Sequence, residues 1–317
     1  MTGVQTCALP ILTGETGSTL TINNVTVGDW GLYCVRLTSG GQTIISSIAA
    51  LYVHAPCTPY TPLAGPVAWW TFDDKDTDWS GHITRDVSGH GNNGLLGIYF
   101  PFVPPTNPTL LANGKVGQAF FFNGSNTCIT LPQCPLQNLS NPSSFCTWAY
   151  TANTANFPNA WNMQIINFYA DDNNGIAIES VVNTGIMDVV YKVGGTDRGA
   201  ITTSQVFVNN TWVHICFVWD GSSITFYVNG SVVPTTTSSD SVATANVIGA
   251  RDNDYDPYYI NPYDHNNYAL YPDGVWLGGL DEMLIFNRAL SASEVQAIYQ
   301  AGVSGHNPSS FTQFRQP

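Results

Sequence analysis

The chain has 317 residues, of which 44% are hydrophobic and only 10% are charged, against about 25% charged residues in an average domain. The 22 acidic residues outnumber the 9 lysines and arginines and give a formal net charge of −13, a surface that repels nucleic acid and anionic lipid. No apolar run approaches the roughly 20 residues that span a bilayer, which argues against membrane insertion. Frequent Gly, Asn, Thr, Ser and Pro residues divide the chain into short apolar segments, which predicts an all-β protein.

The first eleven residues, "MTGVQTCALPI", do not read as part of a folded domain. They resemble the conceptual translation of a common sequencing-library adapter, so we predict that residues 1–11 are an artefact. The alternative is a short natural leader, although the segment lacks the basic start and continuous apolar centre of a signal peptide.

Residues 12–54 alternate apolar and polar side chains in segments that are separated by turns. The stretch "DWGLYCV", followed by a Gly-Gly turn and a further alternating strand, resembles the end of an immunoglobulin-like sandwich. In that family Tyr33 would be the corner tyrosine that bonds back to the backbone, and a cysteine would follow two residues later. Val35 stands there instead, so the usual inter-sheet disulfide is not expected. We predict the C-terminal fragment of an Ig-like domain over 12–54 and a stiff Pro-rich linker over 55–66.

A second, complete domain is predicted over 67–303, followed by a polar tail over 304–317. Its segments occur in this order: "VAWWTFDD", "DVSGHGNNGLLG", "GKVGQAFFFNGSNTCITLP", "SSFCTWAY", "NTWVHICFVWDGSSITFYVNGSVV" and "GLDEMLIFNRALSASEVQAIY". Together they resemble the LamG-like jelly roll of the concanavalin A-like lectin/glucanase superfamily. The resemblance implies a two-sheet antiparallel jelly-roll sandwich with one short C-terminal helix.

The local patterns within this domain agree with that architecture. Residues 212–232 form two alternating strands around a turn at Asp220, and both faces of the first strand are apolar, which predicts a central strand covered on each side. His214 lies on one of these faces, and we interpret it as a packed residue that is hydrogen-bonded within the sheet, because no acid or nucleophile is spaced to act with it. Farther on, Ser291 and Glu294 match the capping box that starts a short helix.

Asp281 and Glu282 stand where the last apolar strand begins, a place where a carboxylate is costly unless it is hydrated, paired or bound to a cation. The LamG-like resemblance implies one structural Ca²⁺ between the opening segments and the closing strand, with Asp73 and Asp281 as ligands and either Asn93 or nearby backbone carbonyls completing the shell. Ca²⁺ takes roughly six to eight oxygen ligands from carboxylates, amides and backbone, which suits this set. The alternative is that Asp281 only accepts backbone N–H bonds. Because adjacent strand residues face opposite sides, Glu282 is expected in solvent.

An insertion between Gly249 and Gly279 departs from the family pattern and is rich in Asp and Tyr. Pro257 rules out an EF-hand, because that motif needs Gly at the same position. One interpretation is a glycan-binding loop, and the other is a loop whose tyrosines pack on the sheet and whose acids are solvated. Long loops without regular structure are mostly functional or disordered. The ligand-binding residues of the first interpretation are Asp252, Asp254, Asp256, Tyr258, Tyr259, Tyr263 and Trp276.

The superfamily includes glycosidases, so a catalytic pair was sought. Glycoside hydrolysis needs two carboxyl groups about 5 to 9.5 Å apart, and the superfamily's glucanases carry their acids at alternate positions on one strand. The four glutamates are Glu15, Glu179, Glu282 and Glu294, and none lies two or four residues from another. We therefore predict that this chain has no catalytic residues.

Six cysteines remain when Cys7 is set aside, and none has zinc-ligand spacing. An even number of cysteines suits an oxidising compartment. The pair expected to form a disulfide is Cys128 and Cys134, because a Pro-containing turn would bring the two together. The alternative is that several of the six are buried thiols.

These patterns predict an extracellular or cell-surface recognition module that belongs to a larger secreted protein. Its expected partner is a glycan or a surface protein, with Ca²⁺ as a possible structural ion, and the oligomeric state is not predicted. A purely structural or adhesive spacer is the alternative function. A glycoside hydrolase of the same superfamily is less favoured, because no pair of acids has the required spacing.

Overall fold

The structure is a computed structural model. It describes residues 4–6, 19, 21–25, 31–39, 42–45, 49–51, 64–97, 107–131, 134–136, 139–152, 162–171, 174–181, 183–238, 247–248 and 274–306.

The described residues form strands and two helical segments. The strands are β1 (Val4–Thr6), β2 (Gly31–Ser39), β3 (Gln42–Ile45), β4 (Ala49–Leu51), β5 (Ala68–Trp70), β6 (Thr77–Asp78), β7 (Ile83–Thr84), β8 (Gly94–Leu96), β9 (Thr109–Leu111), β10 (Ala119–Asn123), β11 (Ile129–Thr130), β12 (Ser143–Thr151), β13 (Met163–Asp171), β14 (Asn174–Ser180), β15 (Met187–Val193), β16 (Thr196–Thr202), β17 (Trp212–Trp219), β18 (Ile224–Val228), β19 (Ser231–Val232), β20 (Thr235–Ser238), β21 (Val247–Ile248) and β22 (Leu277–Phe286). The helical segments are a 3-10 turn at Asp74–Asp76 and helix α1 (Ala292–Val303).

Two large antiparallel sheets form the predicted sandwich. One has the order β19-β18-β17-β12-β22-β10-β9, with β5 also paired to β22. The other has the order β20-β16-β15-β14-β13-β21-β11-β8-β7-β6. The all-β jelly-roll prediction is therefore confirmed, and so is the prediction that the closing strand returns beside the opening one, since Met283 pairs with Trp70.

The core lies between the sheets, where alternate residues of each strand point inward. Phe145 and Phe217 come from the eight-stranded sheet, and Ile166, Phe168 and Val189 come from the ten-stranded sheet. Strand β17 lies between β12 and β18, as a central strand should. On its other face, Cys216 and Val218 belong to a second cluster on the outside of the sheet.

Helix α1 covers part of that outer face. Ser291 and Glu294 form the expected capping box at its start, and Val295 and Ile298 are buried in the outer cluster. Among the described residues, no helix is long and apolar enough to cross a membrane.

A disulfide joins neighbouring strands beneath the helix. Cys146 of β12 and Cys216 of β17 are directly opposite in register, with Cα atoms 4.1 Å apart, and they form the bond. The predicted Cys128–Cys134 disulfide is wrong, because both residues are buried thiols. Burial raises the pKa of the Cys134 thiol to about 12. The strand register instead places Cys146 and Cys216 face to face.

The N-terminal strands form a separate four-stranded sheet. Strand β2 pairs with β1, β3 and β4. Strand β1 lies within the predicted adapter segment, and it pairs through Val4, Gln5 and Thr6. The artefact and the Ig-like identity of residues 12–54 both stay predictions.

Candidate functional site

The acidic pair of the closing strand lies at a junction between two neighbouring strands. One edge of β22 pairs first with β10, up to Leu280 and Phe120, and then with β5, from Met283 and Trp70 onward. Asp281 and Glu282 fall in the gap between these pairings. The backbone ladder is interrupted here, so side chains and a turn can occupy the space that a continuous strand would fill.

The side chain of Asp281 lies in this gap and is buried. Its side chain is 0% exposed, and Oδ2 accepts hydrogen bonds from the backbone N–H groups of Lys115 at 2.6 Å and Val116 at 2.8 Å. Burial raises the pKa of Asp281 well above its ordinary value, and the Glu282 carboxylate raises it further. The Oδ1 atom is buried without a hydrogen-bond partner in the described structure.

Asp73 reaches the same turn from the opening strand. Its Oδ1 atom accepts the Gln118 N–H at 2.8 Å, and its Oδ2 atom is paired with the Lys75 ammonium. Gly117, with a φ of 75°, lies against this carboxylate, and an added Cβ would come within 2.7 Å of Oδ1. The turn from Lys115 to Gln118 thus meets both carboxylates, which brings Asp73 and Asp281 to one place, as the LamG-like resemblance implied. Their role as Ca²⁺ ligands stays a prediction.

Glu282 does not point into solvent, and that expectation is wrong. The residue is 4% exposed, and Oε2 accepts the Trp69 indole N–H at 2.6 Å. The register with β12 shifts at this place, so Thr147 opposes an extra residue, and Glu282 adopts a φ of 49°. Such a β-bulge breaks the alternation on which the prediction depended.

Asn93 has a different neighbour from the one predicted. Its side-chain oxygen accepts the Asp86 N–H at 2.9 Å, and none of the contacts described for it involves Asp73 or Asp281. The Asp86 carboxylate in turn accepts N–H bonds from Trp69, Ser88 and Asn92. Sequence reasoning assigned no role to this buried acid, although it opens the "DVSGHGNNG" stretch.

The fit of this region to Ca²⁺ is therefore partial. Two predicted carboxylates converge on one turn. The buried Oδ1 atom of Asp281 makes no hydrogen bond in the described structure and could coordinate a cation. Asn93 is engaged elsewhere and Lys75 already neutralises Asp73. Among the described residues, no group of three His, Cys, Asp or Glu side chains is arranged to hold a metal.

The described residues include only the end of the predicted glycan-binding loop. Residues Asp252, Asp254, Asp256, Tyr258, Tyr259 and Tyr263 lie outside the described residues. Trp276 is 0% exposed, donates its indole N–H to the Gly279 carbonyl at 3.3 Å and packs edge-on against Phe207. The prediction that Trp276 binds ligand is wrong, because its ring is part of the core between the sheets.

A different pair of aromatic residues is partly exposed on the outer face of the eight-stranded sheet. We call Tyr150 and Trp212 the aromatic patch; their ring centres are 5.5 Å apart. Trp212 lies against Gly279, where an added Cβ would meet the indole at 2.8 Å. The Tyr150 hydroxyl donates to the side-chain oxygen of the exposed Asn210 at 2.9 Å. Sequence reasoning placed Trp212 on a strand face without assigning it to a site.

The described acids serve structural contacts. Glu179 accepts hydrogen bonds from the side chains of Asn162 and Gln164, and Glu294 caps helix α1. His214 is 1% exposed and packs against the rings of Trp148 and Tyr299, as predicted. The expected hydrogen bond within the sheet is wrong, because neither ring nitrogen has a partner in the described structure. Burial lowers its pKa to about 3.

Comparisons with known proteins identify the family to which this fold belongs. The family model described as the concanavalin A-like lectin/glucanases superfamily, of the laminin G type, matches residues 123–296. A search of curated proteins found no match.

Two solved structures share the fold. Domain 4 of AbnA, a GH43 extracellular arabinanase from Geobacillus stearothermophilus solved in complex with arabinotriose, superposes with a TM-score of 0.51 at 19% identity, covering 73% of this chain and 97% of that one. The binding domain of Paraclostridial Mosquitocidal Protein 1 has a TM-score of 0.50 at 17% identity, covering 74% of this chain and 52% of that one. At these identities the likeness concerns the fold alone. The match of the family model over more than half of the residues shows that the chain belongs to the concanavalin A-like lectin/glucanases superfamily.

Proposed function

We propose that this protein is a non-catalytic carbohydrate-binding module. The superfamily fold supports a binding role, and a similarly folded arabinanase domain was solved with arabinotriose. The described glutamates and Asp281 are committed to hydrogen bonds that hold strands, turns and the helix together. These groups are therefore poorly placed to exchange protons with a substrate.

The aromatic patch is the observation that carries this proposal. Sugar rings present flat faces of C–H groups that stack on aromatic side chains, while nearby polar groups bond the hydroxyls. The Trp212 indole lies against Gly279, where a side chain would collide with it. Asn210 and the Tyr150 hydroxyl supply polar atoms beside the rings. Since this face is built on strands, the rings are held in place before a ligand arrives.

The patch predicts a loss of glycan binding when the larger ring is removed. On a glycan array, Trp212→Ala should lose most binding, with an affinity at least tenfold lower by calorimetry for the glycans that the wild type binds. Val232→Ala, at a well-exposed apolar position on β19, is the control and should bind like the wild type. An unchanged affinity in Trp212→Ala would remove the patch from the site.

The insertion gives a second place for the same function. A triple variant with Tyr258, Tyr259 and Tyr263 changed to Ala tests the predicted loop against the patch. Loss of binding in the triple variant, with Trp212→Ala unaffected, would move the site to the loop. If neither the wild type nor any variant binds a glycan, the carbohydrate proposal is wrong and the spacer function takes its place.

We also propose that Asp73 and Asp281 are the carboxylates that would hold a structural Ca²⁺. The support is the convergence of both on one turn and the buried Oδ1 atom of Asp281 that lacks a hydrogen bond. A bound cation would offset the cost of placing these charges away from water. Backbone carbonyls of the same region would have to complete the shell.

Calorimetry with CaCl₂ tests this ion site. The wild type should bind Ca²⁺ with a thermal stabilisation, and Asp281→Ala should lose the binding heat. Asp78→Ala changes a carboxylate whose described bonds lie within its own loop, so it serves as the matched control. Equal affinity in the Asp281 variant would show that the pair is a purely structural hydrogen-bonded junction.

We further propose an extracellular location for this domain. The Cys146–Cys216 disulfide supports an oxidising compartment, because such bonds are rare where glutathione keeps thiols reduced. The division into an Ig-like fragment over 12–54, a linker over 55–66, a jelly roll over 67–303 and a tail belongs to the same proposal.

A further inference from the structure

A polar groove lies where the two sheets meet at one side of the sandwich. One wall is the edge of the ten-stranded sheet, where β16 pairs with β20. The other wall is the end of β17 and the start of β18, together with the turn that joins them. The groove has a volume of about 310 Å³. Small-molecule sites range over roughly 300–1,000 Å³, so this space suits a short sugar.

The lining of the groove is rich in hydrogen-bonding groups. It includes one cation, one indole and five hydroxyl-bearing residues, namely Arg198, Trp219, Ser222, Ser223 and the run Thr235–Thr237. Ile224 and Ala200 add limited apolar surface. This composition differs from the aromatic patch, because donors rather than ring faces predominate.

Arg198 is available to a ligand. It is exposed and its guanidinium lies 5.6 Å from the centre of the Trp219 ring. None of the ion pairs among the described residues involves it. The neighbouring Asp197 points to the opposite side of β16, where Lys192 is its register partner. A guanidinium that has no ion-pair partner among the described residues is notable in a chain whose net charge is −13.

Trp219 supplies a second unsatisfied donor. The side chain is 2% exposed, and its indole N–H has no hydrogen-bond partner in the described structure. Leaving a buried donor unpaired is costly, so such groups normally meet a protein acceptor, an ordered water or a ligand. Trp219 lines the groove, but its indole nitrogen is itself covered, so an acceptor in the groove would reach it only after the groove wall shifts.

The carboxylate of Asp220, the residue after Trp219, is engaged within its own turn. Asp220 accepts hydrogen bonds from the backbone N–H and the hydroxyl of both Ser222 and Ser223. These four donors hold the carboxylate in the turn and reduce the field that it projects toward Arg198. The serine oxygens keep their capacity to accept bonds from sugar hydroxyls.

We infer that this groove binds an acidic sugar, with Arg198 pairing with the sugar carboxylate. Arginine matches a carboxylate through two parallel hydrogen bonds. The threonine and serine hydroxyls on the groove lining would bond the ring hydroxyls. The inference rests on the proposed carbohydrate function and names the ligand class for one of its surfaces.

Calorimetry with matched acidic and neutral sugars tests the groove. The acidic probes are trigalacturonate and sialyllactose, and the neutral ones are trigalactose and lactose. At least one acidic probe should bind at least tenfold more tightly than its neutral counterpart. Arg198→Ala should abolish that preference, and Arg198→Lys should restore part of it. Arg85→Ala removes an exposed arginine elsewhere and is the charge-matched control.

The possible outcomes separate this inference from the broader proposal. Equal binding of acidic and neutral probes would overturn the inference that the groove binds an acidic sugar. An Arg198→Ala variant that binds like the wild type would overturn it as well. If neutral glycans bind through Trp212 while neither acidic probe binds, the groove inference fails and the carbohydrate function stands. If only the acidic probes bind and Trp212→Ala has no effect, the groove is the binding site.

Discussion

At the residue scale, burial determines the charge state of His214. Both of its ring nitrogens are buried without hydrogen-bond partners in the described structure. The aromatic rings of Trp148 and Tyr299 surround it, and they offer no acceptor for a charged imidazolium. Burial therefore lowers the pKa of His214 to about 3, from an ordinary value of about 6.5.

This shift predicts how acid destabilises the protein. Below pH 6.5 His214 is protonated in the unfolded chain but stays neutral in the folded protein. His214 therefore lowers the unfolding free energy as the pH falls toward its folded pKa. The cost is about 1.4 kcal/mol per pH unit. Between pH 7 and pH 5, His214→Phe should therefore lose about 2 kcal/mol less stability than the wild type in denaturant unfolding.

The exposed His306→Phe is the control for this measurement, since its ring lies in solvent beside Ser304. It should follow the wild type across the same pH range. Identical pH profiles for His214→Phe and the wild type would show that His214 is protonated or hydrogen-bonded in the folded protein.

At the scale of elements, helix α1 depends on one glycine to approach the sheet. Gly302 is buried against Trp148, and an added Cβ would lie 2.7 Å from Cε2 and 2.8 Å from Cζ2 of the indole. Trp148 is also stacked on Tyr299 of the same helix, with ring centres 5.6 Å apart. The indole therefore cannot move without disturbing its other contact.

Gly302→Ala gives a test in which two effects have opposite signs. Helix propensity alone favours Ala by about 1 kcal/mol. The clash with Trp148 should outweigh this gain and lower the unfolding free energy by about 1–3 kcal/mol, as overpacking does in a close-packed core. Denaturant unfolding measures the difference, and a stabilised Gly302→Ala would mean that the helix does not pack as described. The double variant Trp148→Leu/Gly302→Ala should recover part of the loss.

At the scale of the whole molecule, the disulfide closes a large loop. Cys146 and Cys216 are 70 residues apart in sequence, and the intervening chain includes the strands β13 to β16 of the opposite sheet. Cross-linking such a loop restricts the unfolded chain, and the effect grows with loop length. The bond joins two strands of one sheet and closes a segment that belongs to the other, so its loss should destabilise both sheets.

Removing this bond should cost about 4 kcal/mol of unfolding free energy. The double variant Cys146→Ala/Cys216→Ala should unfold at a lower denaturant concentration than the oxidised wild type. Reductant should lower the midpoint of the wild type and leave that of the double variant unchanged. A wild-type midpoint that is insensitive to reductant would show that these two thiols are not joined in solution.

The sequence by itself determined the class of fold, the succession of segments along the chain and the helix cap. Alternating apolar residues, Gly-rich turns and the Ser291–Glu294 pair are local signals, and short-range sterics and hydrogen bonding act on them directly. It also predicted that Asp73 and Asp281 approach each other, because the family resemblance supplied the strand order.

Only the tertiary structure decided which side chains are buried and which form a surface. The bulge that buries Glu282, the core position of Trp276 and the disulfide partner of Cys146 all depend on cross-strand register, which joins residues far apart in sequence. The groove at Arg198 likewise requires the edges of two sheets to meet. Local patterns constrain each strand, but the physical environment of a side chain is set by neighbours that only the folded chain brings together.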